Sequence, residues 1–209
     1  MKTIFIPVVI KKEPVYAKID KLIEEIPEKK LALCYSNQFI DVAQKISELI
    51  KKRVIYKTQI LGCSNPKFPE EVEAILIVGQ GRFHSVSLAY ESKLPVYILE
   101  GEVINKVEKE DIEKLERKEK GAYLGYLNAK TIGILVSSKP GQERLNKALE
   151  FQKSLKDKKS YIFVGNDLNI LEFENFGIDF WVNTACPRMD LTGGPLINLD
   201  KLEKLMKGE

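Results

Sequence analysis

The sequence predicts an α/β protein made of two tandem, internally duplicated, four-stranded and mainly parallel sheets flanked by helices. Three observations carry this. Short apolar runs rich in β-branched residues start near residues 31, 54, 74 and 95, a spacing of roughly twenty residues that matches the tempo of βα units. The stretches between them place apolar residues at helical spacing. After a charged segment the plan begins again, which points to an internal repeat.

Taken in order, residues 3–10 read as a strand, and Pro14 as the first-turn proline of a helix reaching about Ile26. Val15, Ile19, Leu22, Ile23 and Ile26 lie on one stripe of that helix. Leu31–Tyr35 is a buried strand, and residues 39–52 form a helix with Ile40, Ala43, Ile46 and Ile50 facing inward. Residues 54–60 are the next strand, ending in the breaker-rich loop Leu61-Gly62-Cys63-Ser64-Asn65-Pro66. Ala74–Val78 closes on Gly79-Gln80-Gly81-Arg82-Phe83-His84 and a helix to about Ser92; residues 95–99 are a further strand. Residues 102–120 are charged, with few apolar positions, and read as a surface helix joining two halves. The second half supplies strands at 131–136, 161–164, Phe180–Asn183 and Leu196–Asn198, with helices at 143–155 and 201–207. The domain organisation expected is therefore residues 1–101, a helical connection 102–128, and residues 129–209.

The chain's 33 basic and 30 acidic residues nearly balance, so nothing calls for a nucleic-acid surface. The apolar run at 4–10 is too short to span a bilayer and lacks a signal-peptide layout, which predicts a cytoplasmic protein with no membrane association. Three cysteines, Cys34, Cys63 and Cys186, are too far apart for a zinc knuckle or redox motif, and their odd number argues against a disulfide framework. A single histidine, His84, excludes multi-histidine metal sites and any histidine triad.

Four loops each follow a predicted strand, and in parallel sheets that is where ligands gather. In the last of them, Trp181-Val182-Asn183-Thr184-Ala185-Cys186-Pro187-Arg188, the proline biases Cys186 towards extended backbone. Arg188 keeps positive charge near the sulfur, favouring its thiolate, although a small buried residue at a strand end would use the same position. Gly79-Gln80-Gly81-Arg82 opening a helix is a candidate anion cradle or a tight turn; Arg82 has the planar fork that suits a carboxylate. Lys139-Pro140-Gly141-Gln142 is a second anion-binding candidate or a capped turn. His84 is either a satisfied helix-start residue or an acid–base group. Cys34, between Leu33 and Tyr35, reads as a packing residue.

These strings occur in one order: Leu61-Gly62-Cys63, Val78 to His84, Lys139 to Arg144, and Trp181 to Arg188. Together they resemble the second and third domains of the archaeal diphthamide synthase family, over essentially the whole chain. The resemblance implies radical chemistry on S-adenosylmethionine, with a 4Fe–4S cluster held by three cysteines, one from each of three duplicated α/β domains. A 3-amino-3-carboxypropyl group would pass to a histidine of translation elongation factor two. It implies Cys63 and Cys186 as cluster ligands, and Arg82, His84, Lys139, Gln142 and Arg188 as positions that bind S-adenosylmethionine. The family's first domain, with its own cysteine, has no counterpart in these residues, so the third thiolate would come from a partner, in a homodimer or in a heterodimer with a diphthamide synthase subunit, or from Cys34, which also ends a strand but does not match a family ligand position. The alternative expectation is a non-catalytic accessory or ligand-binding paralogue that has lost the cluster.

Overall fold

The computed structural model describes residues 16–60, 66–79, 82–192 and 194–208. The chain divides into two compact units, Met1–Glu116 and Arg117–Glu209. The strand expected at 3–10 lies outside the described residues.

The first unit runs α1 (Tyr16–Glu24), β1 (Leu31–Tyr35), α2 (Ile40–Leu49), β2 (Val54–Gln59), β3 (Ala74–Val78), α3 (Arg82–Ser92), β4 (Val96–Glu100) and β5 (Val103–Lys106). Its strands lie in the order β2-β1-β3-β4-β5, the first four parallel and β5 antiparallel to β4. The strands alternate between two apolar layers. Leu31, Leu33, Leu76 and Val78 pack with Ile19, Ile23 and Ile46 on one side, while Ala32, Cys34, Ile75 and Ile77 pack with Leu88 and Ala89 on the other. Both faces are covered, so β3 is buried along its whole length and its sequence is continuously apolar. In α2 the buried set is Val42, Ala43 and Ile46; Ile40, expected inside, is 39% exposed where the helix starts.

The segment at 102–120 departs from the surface helix expected there. Gly101 turns the chain with φ +61°, and Val103 and Ile104 pair with Glu100 and Leu99 across a tight hairpin. Only from Lys109 does the chain become helical, as α4 (Lys109–Asn128). Two β-branched residues and a glycine turn outweigh the charged composition, because an edge strand tolerates polar neighbours.

The second unit carries β6 (Thr131–Ser137), α5 (Leu145–Ser154), β7 (Lys159–Gly165), β8 (Phe180–Asn183), β9 (Leu196–Asn198) and α6 (Leu199–Lys207). All four strands are parallel, in the order β7-β6-β8-β9. One face packs Ile132, Ile134, Val136 and Val182 under α4, α5 and α6. The other is covered by a 3-10 segment, Ile170–Phe176, whose Phe173 and Phe176 pack edge-on or tilted against Phe163, with Trp181 beside them. Trp181 lies across Gly133, where an added Cβ would come within 2.3 Å of its ring.

The two units repeat one plan. In each, the second strand lies outermost, the first beside it, then the third and the fourth. The polar closures repeat as well. Glu73, just ahead of β3, accepts from the amides of Lys29 (2.7 Å) and Lys30 (3.2 Å), just ahead of β1. Asp179, just ahead of β8, accepts from the amides of Lys130 (2.9 Å) and Thr131 (2.8 Å), at the start of β6. Arg53, just ahead of β2, donates to the carbonyls of Ile23 in the last turn of α1 and of Ile26 and Glu28 beyond its end. Lys158, just ahead of β7, donates to those of Tyr126, Leu127 and Ala129 at the end of α4. A cation at a helix C-terminus satisfies orphan carbonyls and meets the negative end of the dipole. The fold class expected from sequence is thus the one observed, with β5 added to the first sheet.

Candidate functional site at the carboxyl edge of the second sheet

Because β6, β7 and β8 are parallel, the loops that follow them leave from one edge of the sheet. After β6, Lys139-Pro140-Gly141-Gln142 forms a turn in which the Gln142 amide donates to the Lys139 carbonyl at 3.0 Å and Gly141 has φ +79°. Proline second and a positive-φ glycine third are the requirements of a type II turn. The Lys139 amide donates to the buried Ser137 hydroxyl at 3.1 Å, which fixes the start of the turn.

The Lys139 ammonium pairs with Asp167, from the loop after β7. The hydrogen bond from Lys139, then that from the Asn166 amide and then the lysine's charge hold the Asp167 carboxyl below its usual range. Asp167 is 81% exposed, so solvent screens the pair and it ties the lysine only weakly.

After β8 the chain is held by buried polar groups. Thr184 donates to the Leu135 carbonyl from both its amide (3.0 Å) and its hydroxyl (2.8 Å). Asn183 accepts from the Ala185 amide (2.9 Å) and donates to the Cys186 carbonyl (2.8 Å) and to the Asn198 side chain (2.7 Å). Asn198 in turn donates to the Pro187 carbonyl at 2.9 Å. Cys186 emerges half-buried on a cavity of about 330 Å³, which it shares with Ser137, Lys139, Gln142, Asp167 and Glu172.

Three of the residues singled out in the sequence, Lys139, Gln142 and Cys186, are therefore brought together. Arg188 is exposed on the 3-10 segment Pro187–Thr192 and is not among the described residues lining this cavity. Arg82 and His84 belong to the other unit, where Arg82 opens α3 and His84 is half-buried in its first turn. Cys63 lies outside the described residues. Cys34 is fully buried in an apolar layer, and burial pushes its thiol up to about 12. Its sulfur stays protonated and packs, as its neighbours in sequence suggest.

Asn183, Asn198 and Asp167 went unmarked in the sequence. The readable signal was an asparagine closing each of two apolar strands, a residue type that strands disfavour unless its amide serves the backbone. A larger cavity of about 710 Å³ opens at the opposite, amino edge of this sheet, beside Gly121, Gly125 and Asp179. Asp179, the one carboxylate among its described lining residues, is committed to the Lys130 and Thr131 amides, and parallel sheets bind ligands at the other edge.

No group of three or more histidine, cysteine or acidic side chains placed to hold a metal occurs among the described residues. Among the same residues, no helix is long and apolar enough to cross a membrane. Residues 1–196 match the model of the diphthamide synthesis protein family. The chain belongs to that family. It is 32% identical over 141 residues to the 2-(3-amino-3-carboxypropyl)histidine synthase of Pyrococcus horikoshii, a match covering 66% of this chain and 41% of that protein. Subunit 1 of the mouse synthase is 27% identical over 184 residues, covering 80% of this chain and 42% of its own. The crystal structure of Dph2 from Pyrococcus horikoshii with a 4Fe–4S cluster superposes with a TM-score of 0.81 at 26% identity, over 94% of this chain and 63% of that one. The chain thus spans less than half the length of these two curated relatives.

Proposed function

We propose that this member of the diphthamide synthesis family acts in the transfer of a 3-amino-3-carboxypropyl group from S-adenosylmethionine to a histidine of translation elongation factor two. The observation that carries the reading is the cavity at the carboxyl edge of the second sheet. There a half-buried cysteine, a lysine and a glutamine converge in a fold shared with a relative solved with a 4Fe–4S cluster. A sulfur at a cavity wall fits an iron–sulfur ligand, since such clusters are held chiefly by thiolates.

In this proposal Cys186 and Cys63 are the chain's cluster ligands. Cys34, sealed in an apolar layer, is not one. A third thiolate then comes from outside this copy's residues, such as a cysteine of a second copy in a homodimer or one of a diphthamide synthase subunit. A bound cluster would supply the electron that cleaves a carbon–sulfur bond of S-adenosylmethionine. The chain's own residues bind and orient. Lys139 offers an ammonium to the carboxylate of the methionine end, and Gln142 an amide beside it; Arg82, His84 and Arg188 are assigned to the same ligand.

Anaerobic reconstitution with iron and sulfide, followed by electron paramagnetic resonance after dithionite reduction, tests the reading. A 4Fe–4S signal that changes on adding S-adenosylmethionine is expected with the partner present, with iron retention lost in Cys63→Ala and Cys186→Ala. Unchanged iron in both variants would remove these cysteines as ligands.

A further inference from the structure

We propose that Asn183 and Asn198 are positioning residues that hold the Cys186 sulfur on the cavity wall. The inference rests on the reading of Cys186 as a ligand and adds how the chain presents it.

The two asparagines are register partners at the ends of the adjacent parallel strands β8 and β9, and they are only 2% and 5% exposed. Together they contact three consecutive residues of the loop: the amide of Ala185 and the carbonyls of Cys186 and Pro187. The Asn183 amide divides its hydrogens between the Cys186 carbonyl and the Asn198 oxygen, so the side chains form one connected pair. Pro187 has no amide hydrogen, so the loop cannot extend a backbone ladder through that residue. The side chains do that work instead, and the Met189 amide adds a bond to the Cys186 carbonyl at 3.1 Å. With the carbonyls of residues 186 and 187 tied inward to the strand ends, the Cys186 side chain is left on the cavity.

Buried amides that are satisfied this fully rigidify what they hold, and losing one partner strands the others. Replacing Asn198 by alanine frees the Pro187 carbonyl and leaves one hydrogen of Asn183 unmatched. The loop then samples conformations in which Cys186 moves out from the wall.

The test is alkylation of the reduced, iron-free full chain by iodoacetamide under native conditions, followed residue by residue by peptide mass spectrometry. Cys34 is the internal control for an intact fold. Asn198→Ala is expected to raise the Cys186 rate about fivefold, the size of one net hydrogen bond. Cys34 should stay protected throughout. Asn198→Thr, whose hydroxyl can still accept from Asn183, is expected to remain within about twofold of the unaltered protein. Equal Cys186 rates in the unaltered and Asn198→Ala proteins would overturn the inference. So would labelling of Cys34 in step with Cys186, which would make the amides general supports of the fold. None of these rates needs iron. A Cys186→Ala protein that keeps its iron would sink the ligand reading alone and leave the clamp to be judged on alkylation.

Discussion

Lys158 donates to three carbonyls at the end of α4, at 3.0, 2.9 and 2.6 Å, with its ammonium 5.2 Å from the centre of the Tyr126 ring. Lys158→Ala takes the lysine's bonds from the Leu127 and Ala129 carbonyls, leaves Tyr126 with the Ala129 amide alone, and removes the cation at the helix terminus. Charge-assisted bonds of this kind carry more than neutral ones, so urea unfolding should show a loss of about 1–2 kcal/mol. Arg53→Ala should lower the stability of the first unit by a similar amount, for the same reason at α1. Neither cap was legible in the sequence. Lysine and arginine read there as members of charged runs, and their partners lie 25 to 32 positions away, so only the folded chain brings them to those carbonyls. Cys34 was legible, because its two apolar neighbours within a strand already implied a covered position.

The strands were the clearest elements to read, since a strand covered on both faces must be apolar throughout, as Ala74–Val78 is. β5 was hidden because its two apolar residues sit inside a polar run, and pairing on one side alone leaves no periodic signature. The span between β7 and β8 shows another limit. No element was expected there, yet the aromatic residues of a 3-10 segment cover that face, with Trp181 made possible by Gly133. Gly133→Ala should be destabilising by about 1–3 kcal/mol, since the added methyl collides with the indole and the sheet around it is well packed. Trp181 is the chain's single tryptophan, so its emission spectrum and its quenching by acrylamide report directly on that displacement. At the candidate site, Lys139, Gln142 and Cys186 could be found because each follows a strand. Asn198 could not be found in the same way. Its role depends on facing Asn183 across the sheet, which is a matter of register.

Taken whole, the two units should share one acid limb. Glu73 is held below its ordinary 4.5 by the Lys29 amide first and the Lys30 amide second, and Asp179 below its ordinary 3.8 by those of Thr131 and Lys130. A carboxyl group lowered on folding contributes stability that is complete above the unfolded value and disappears as pH falls through the folded one. Denaturation midpoints of Glu73→Gln and Asp179→Asn should therefore lie below those of the unaltered protein at neutral pH and converge with them as the pH drops past 4.5 and 3.8. Parallel curves at all pH values would show that these carboxylates do not couple folding to protons. The same pairs bear on ancestry. One copy of the unit uses glutamate and arginine where the other uses aspartate and lysine, so matching letters would overlook a kinship that matching charge and place reveals. Any further copy of this unit in a longer relative should announce itself in the same way, by a cation just ahead of its second strand and an anion just ahead of its third.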